Sequence, residues 1–156
     1  MSDLNSVSPL LQLDNQLCFK LYAASRLVIR AYQPMLAELQ LTYPQYLVLL
    51  VLGEWYVQAP EQPTVKALGR RLLLDSGTLT PLLKRLQSQG LLMRQRSSVD
   101  EREVHVRLSD SGWALYQRVQ VLKQQLLCEH DVDIEALADL RGQLDGLLSQ
   151  LGATND

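Results

Sequence analysis

Apolar residues recur at three- and four-residue steps from Leu17 through Leu21, Ala24, Val28 and Ala31 to Met35, the stripe of an amphipathic helix. Asp14 stands just ahead of it, where a carboxylate can accept the unpaired amides of a first turn, so the helix is expected to begin at Asn15. Pro34 lacks an amide and crowds the preceding turn, and is expected to kink or end that helix. Thr42-Tyr43-Pro44-Gln45 reads as a capping box, with Pro44 at a position where no donor is needed. The following "YLVLLVLGEW" is apolar nearly all round, which predicts a buried helix ending near Val57, and "QAPEQP" is the loop after it.

Two short helical segments come next, "TVKALGRRLLL" and "DSGTLTPLLKRLQSQG". Asp75 or Ser76 can cap the second, and Gly90 can supply the left-handed residue that stops it. Pro81 deletes one intrahelical bond from a helix that starts at Ser76, and a start capped by Thr78 would relieve this. "LLMRQR" and "EVHVRL" are strand-like, the latter alternating Val104, Val106 and Leu108 with polar residues, and "SSVDER" joins them as a hairpin. Ser109 can cap a long helix through about Cys128, and Asp133 opens a last one carrying Ile134, Leu137, Leu140, Leu144, Leu147 and Leu151. The fold class is therefore mainly α with a small β-hairpin wing. Residues 1–156 form a single domain in which a winged helix-turn-helix at 64–108 is flanked by long helical regions at 14–58 and 109–151.

Charge adds direction to this layout. The net charge is only −2, but Thr64–Leu108 holds nine Lys/Arg against four Asp/Glu, giving +5 there and −7 over the remainder. A basic middle between acidic flanks is the layout of a DNA-contacting module attached to something else. The start, "MSDLNSVSPLLQL", has no basic region or long apolar run, and no stretch approaches the roughly 18 apolar residues of a membrane span, so a cytoplasmic protein is expected. There free thiols are the rule. Cys18 and Cys128 stand far apart, and with only His105 and His130 beside them they make no metal-ligand spacing; no metal or cofactor is expected, and neither histidine is given a chemical role.

A helix-turn-helix places its second helix in the major groove while a wing follows the backbone or enters the minor groove. Ser76, Thr78 and Thr80 offer short hydroxyls at that helix's N-terminus, which itself attracts phosphate. Lys84 and Arg85 add charge along the helix, and Arg94, Arg96 and Arg102 put it on the hairpin, where Asp100 can hold Arg102 in a fixed pose. The apolar stripes of the outer helices exceed what one small domain buries. They predict a two-fold homodimer reading a pseudo-palindromic duplex with its recognition helices about 34–36 Å apart, although the same stripes could pack within one chain.

At this point the chain resembles the MarR family of bacterial repressors over nearly its full length. "LLLDSGTLTPLLKRLQSQGLLMRQRSSVDEREVHVRLSDSG" resembles that family's recognition helix and wing, including the Asp-x-Arg pattern at Asp100 and Arg102. Within the family, "LCFKLYAASR", "AYQP" and "LTYPQYLVLLVL" are similar to the organic-hydroperoxide sensors of the OhrR group. The resemblance implies that Cys18 is the peroxide-reactive thiol, that Tyr32 and Tyr43 hydrogen-bond it from the partner subunit, with Tyr22 a further donor, and that Cys128 is the resolving thiol of the two-cysteine branch. The chemistry agrees. A thiolate is the nucleophile, and a helix N-terminus and phenol hydroxyls favour it. Apolar neighbours Leu17, Phe19 and Leu21 suit a bulky organic or lipid hydroperoxide. Attack yields a sulfenic acid that a second thiol can trap as a disulfide.

The expected function is a homodimeric repressor that leaves its operator when Cys18 is oxidised. Two other readings compete with it. One is a repressor of the same family responding to a non-covalent phenolic ligand, which a cysteine-free variant distinguishes. The other is a thiol peroxidase using Cys18 and Cys128, against which the basic wing argues; the protein is therefore not expected to be an enzyme.

Overall fold

The computed structural model describes residues 8–129 and 133–152. Its helices are α1 (Leu17–Leu39), α2 (Tyr43–Val57), α3 (Val65–Leu72), α4 (Ser76–Ser88), α5 (Asp110–Glu129) and α6 (Ile134–Gln150), with strands β1 (Leu92–Arg96) and β2 (Val104–Leu108) between α4 and α5. This is the mainly helical, winged helix-turn-helix order read from the pattern. The chain divides into two compact units at Pro34.

The first unit contains two 3₁₀ turns, Pro9–Leu11 and Leu13–Asn15, and α1 up to Pro34. Here one expectation fails. Asp14 does not cap a helix from Asn15; it sits inside the second 3₁₀ turn, and α1 begins at Leu17. The side chains at the junction explain the shift. Asn15 Nδ2 donates to the Pro9 carbonyl at 2.9 Å and Gln16 Nε2 to the Leu10 carbonyl at 2.7 Å, folding the lead-in back on itself. The Asp14 carboxylate pairs instead with Lys20 Nζ at 3.6 Å. Leu10, Leu11, Leu13, Leu17, Leu27 and Val28 are all exposed.

Of the two outcomes expected at Pro34, it does not end α1, which runs on to Leu39. Proline removes one donor and crowds the carbonyl four residues back, a cost that a helix survives when the residues beyond it are buried. Met35, Leu36 and Leu39, just beyond, are buried. Gln40 then takes a left-handed φ of 55° and the chain turns into α2.

The second unit is built on α2. Thr42 and Gln45 form the expected capping box: Thr42 Oγ1 accepts the Gln45 N–H at 3.4 Å, and Gln45 Oε1 accepts the Thr42 N–H at 2.9 Å. Tyr46, Val48, Leu49, Val51 and Leu52 are all buried, so this helix packs on nearly every side, against α3, α4, α5 and β2. Each such aliphatic side chain contributes about 1.5–3 kcal/mol on leaving water. Tyr56, Trp113 and Tyr116 tie α2 to α5 as stacked rings, 4.3 Å and 5.3 Å between successive centroids.

Gly90 ends α4 as expected, at φ 73°, with the Gly90 N–H on the Gln87 carbonyl and the Leu91 N–H on the Leu86 carbonyl. β1 and β2 pair antiparallel with Leu92 opposite Leu108 and Arg94 opposite Val106. The Val106 N–H also reaches the Pro63 carbonyl at 2.9 Å, which fastens the wing to the start of α3. Ser109 caps α5, its Oγ accepting the Gly112 N–H at 3.0 Å, and Asp133 caps α6 by accepting the Ala136 N–H at 3.0 Å. Gly112 is required there, since a Cβ would run into the Leu91 carbonyl oxygen. No α6 residue is buried, and Ile134, Leu137, Leu140, Leu148 and Leu151 are exposed. No single helix among the described residues is long and apolar enough to cross a membrane.

Candidate functional site

The start of the recognition helix α4 is held by Asp75. Its Oδ1 accepts the Thr78 N–H at 2.8 Å and its Oδ2 accepts the Thr78 hydroxyl at 3.0 Å. Those bonds, the backbone one foremost, hold the Asp75 carboxyl below its ordinary pKa. Asp75, rather than Thr78, is therefore the cap, and Pro81 lies inside α4. In the turn before it, the Thr80 hydroxyl donates to the Ser76 carbonyl at 2.7 Å. Thr78 and Thr80 thus spend their protons inside the helix, and toward an outside group they offer acceptor lone pairs. Ser76, Lys84 and Arg85 are exposed, while Leu79, Leu83 and Leu86 are buried on the opposite side.

On the wing, Asp100 Oδ1 accepts the Arg102 N–H at 3.0 Å and stands 3.5 Å from Arg102 Nε, so the turn fixes the base of an arginine that is 93% exposed. Ser97 Oγ accepts the Val99 and Asp100 amides, closing the tip. Arg96 is exposed, and Arg94 is half-buried with its Nε donating to Gln87 Oε1 at 2.7 Å. A cleft of about 750 Å³ opens between α3, α4 and the wing. Of the residues singled out in the sequence, Ser76, Thr80, Arg94 and Arg102 come together along it; Thr78, Lys84, Arg85, Arg96 and Asp100 do not line it. Lys66 and Arg70 of α3 do. Their signal was present as two cations four positions apart on α3, within the basic segment. The partnership of Gln87 with Arg94 has no such signal.

Cys18 is an exposed free thiol at the second position of α1, two residues nearer the helix start than an Asp14 cap implies. Beside it in sequence, Leu17 is exposed, and Lys20 Nζ lies 5.9 Å from the centre of the Phe19 ring. Tyr22 is exposed, with the Arg26 guanidinium 5.4 Å from its ring centre. Tyr32 is half-buried on α1 within the first unit. In the second unit, Tyr43 is half-buried at the start of α2, its ring 5.8 Å from that of Tyr46, and Cys128 is an exposed free thiol in the last turn of α5. His105 lies in β2, bridging to Thr64, and His130 lies outside the described residues. Among the described residues no His, Cys, Asp or Glu group is arranged to hold a metal ion.

Residues 30–119 match the family of transcriptional regulators SarA/Rot. The chain is 44% identical over 145 residues to the organic hydroperoxide resistance transcriptional regulator of Bacillus subtilis, covering 93% of this chain and 95% of that one. Among solved structures it is similar to reduced AbfR bound to DNA, with a TM-score of 0.75 and 36% identity over 89% of this chain and 94% of the other. Disulfide-formed AbfR superposes with a TM-score of 0.63 at 36% identity, over 88% of this chain and 92% of that one.

Proposed function

Because the chain belongs to the MarR/SarA-type winged-helix transcriptional regulators, we propose that it is a homodimeric repressor that binds operator DNA when reduced and releases it when an organic hydroperoxide oxidises Cys18. The observation that carries this reading is an exposed cysteine in the first turn of α1, in a chain 44% identical to a regulator of organic hydroperoxide resistance. It acts as a regulator rather than an enzyme, in the cytoplasm, on double-stranded DNA.

The reading assigns two tasks. Residues 64–108 bind DNA: Ser76, Thr78 and Thr80 at the start of α4, Lys84 and Arg85 along it, and Arg94, Arg96 and Arg102 on the wing, with Asp100 orienting Arg102. Residues 14–58 and 109–151 pair two subunits, a role supported by the exposed leucines of α1 and α6. In the sensing step the Cys18 thiolate attacks the terminal peroxide oxygen; the O–O bond breaks, the sulfur becomes a sulfenic acid, and the alkoxide leaves to take a proton as an alcohol. Tyr22, Tyr32 and Tyr43 donate hydrogen bonds that favour the thiolate. The thiol of Cys128 of the partner subunit then displaces water from the sulfenic acid and closes a disulfide.

A mobility shift tests this directly. Reduced protein should retard a duplex carrying its operator, cumene hydroperoxide should abolish the shift, and a dithiol reductant should restore it. Retardation unaffected by the hydroperoxide would remove the sensing role and leave the DNA-binding one.

A further inference from the structure

We infer that Gln87 is a positioning residue for DNA binding, acting through Arg94: it locks the guanidinium of the wing against the recognition helix so that both meet the phosphate backbone in one register. This rests on the DNA-binding reading above and extends it to a residue with no charge and no place at the N-terminal end of the recognition helix.

Gln87 occupies the last turn of α4, next to the buried Leu86, which fixes its backbone to the core. Arg94 occupies the middle of β1, opposite Val106, whose N–H is bonded to the Pro63 carbonyl. Arg94 shares the inward strand face with buried Leu92, two residues before it, so its side chain runs toward α4 rather than into open solvent. The contact between them is short, 2.7 Å from Arg94 Nε to Gln87 Oε1. Both ends of the bridge therefore stand on anchored backbone.

The geometry of arginine makes that contact directive. Nε and the two terminal nitrogens share one plane, so a bond at Nε sets the orientation of the whole fork. The two terminal nitrogens remain as donors, and they are the pair that meets phosphate oxygens side by side. Arg94 lines both the cleft of about 750 Å³ beside α3 and a smaller pocket of about 410 Å³ that Gln87 also lines, which places the bonded pair between the recognition helix and the wing. Without Gln87 the guanidinium must give up its torsional freedom when DNA arrives. Immobilising one such side chain weakens binding about three- to tenfold.

The test uses the full chain, fully reduced, and a mixed-sequence 40-base-pair duplex, because a phosphate contact requires no particular sequence. Affinities are measured by fluorescence anisotropy over a range of salt for wild type, Gln87→Ala, Gln87→Met, Arg94→Ala and the Gln87→Ala/Arg94→Ala pair. Gln87→Met keeps the side-chain stem and good helix propensity while removing the acceptor, so agreement between the two Gln87 variants excludes a folding defect. Arg94→Ala should weaken binding and lower the slope of log K against log salt by about 1. Both Gln87 variants should weaken binding about three- to tenfold with the wild-type slope. The double variant should bind no more weakly than Arg94→Ala alone, because Gln87 has nothing left to position. Losses that add, or Gln87 variants that bind as wild type does, would overturn the inference. If wild type itself shows no salt-dependent binding, the DNA-binding reading fails first, and this inference falls with it.

Discussion

Asp75 and Thr78 are joined twice at the start of the recognition helix, through the Thr78 N–H on Oδ1 at 2.8 Å and its hydroxyl on Oδ2 at 3.0 Å. The cap is strongest when the carboxyl is ionised, and these bonds lower its pKa from the ordinary value. A group whose pKa is depressed in the folded state stabilises it fully above the unfolded value, and that contribution is lost as the pH falls through the folded one. Asp75→Ala should therefore melt below wild type from neutral pH down to about pH 5, and the gap should narrow below about pH 4. Thermal unfolding followed by circular dichroism across that range checks it. A gap that stays constant down to pH 3 would show that the charge at Asp75 contributes nothing.

Much of this architecture is legible from local signals. The Thr42/Gln45 box, the Ser109 and Asp133 caps and the Gly90 stop each depend on a few neighbouring residues, and each appears where the pattern predicts it. Two local signals, the Asp14 cap and an ending at Pro34, are overridden for related reasons. Asp14 lost its capping role to amide side chains that fold back onto carbonyls six residues earlier, and α1 passes Pro34 because residues beyond it are buried. Neither a backward side-chain bond nor the burial that offsets a lost amide shows in periodicity. At the candidate site, the charges of α4 and the wing were legible individually. The convergence of Arg94 and Arg102 with Lys66 and Arg70 on one cleft, and the bridge from Gln87 to Arg94, depend on how the hairpin packs against two helices.

Arg102 and Thr80 should separate affinity from specificity. Arg102 is almost wholly exposed on a pinned turn, suited to phosphate or minor-groove contact. Arg102→Ala should weaken binding to any duplex and lower the salt slope by about 1. Thr80→Ala removes a hydroxyl near the start of α4 without touching charge, and should cost more on the operator than on random DNA. Titrations of both variants on both duplexes measure the difference, and equal losses everywhere would reverse the assignment of roles.

Gly112 should resist substitution. Its α-carbon faces the Leu91 carbonyl, and an added methyl group meets backbone rather than a movable side chain. Gly112→Ala should destabilise the protein by about 1–3 kcal/mol despite alanine's better helix propensity. Chemical denaturation of reduced protein measures it; a variant as stable as wild type would mean that α5 can shift relative to the hairpin at no cost.

Cys18→Ser should fold and bind DNA normally, yet remain on it after treatment with cumene hydroperoxide. Serine is nearly isosteric but far less readily oxidised, so operator contacts survive while the reactive sulfur is lost. Mobility shifts of the variant with and without hydroperoxide decide the matter. Normal release by the variant would move the sensing chemistry to another residue.

As the proposed resolving thiol, Cys128 should set the reversibility of the switch. A disulfide needs α-carbons about 4.4–6.8 Å apart, and the two thiols stand on helices at opposite ends of the chain, each of them exposed. If α1 and α5 meet across a dimer, the bond forms between subunits, and drawing those helices together displaces the recognition helices from their half-site spacing. Oxidised wild type should therefore migrate as a covalent dimer on a non-reducing gel, and reductant should restore both the monomer band and DNA binding. Cys128→Ser should also release DNA at first, because Cys18 still reacts, but its sulfenic acid has no thiol to trap it and should pass on to sulfinic and sulfonic acids. Mass spectrometry should then find Cys18 two or three oxygens heavier after prolonged exposure, and reductant should no longer recover binding. An intrachain bond in wild type, or full recovery of Cys128→Ser after long treatment, would eliminate Cys128 as the resolving thiol while leaving Cys18 as the sensor.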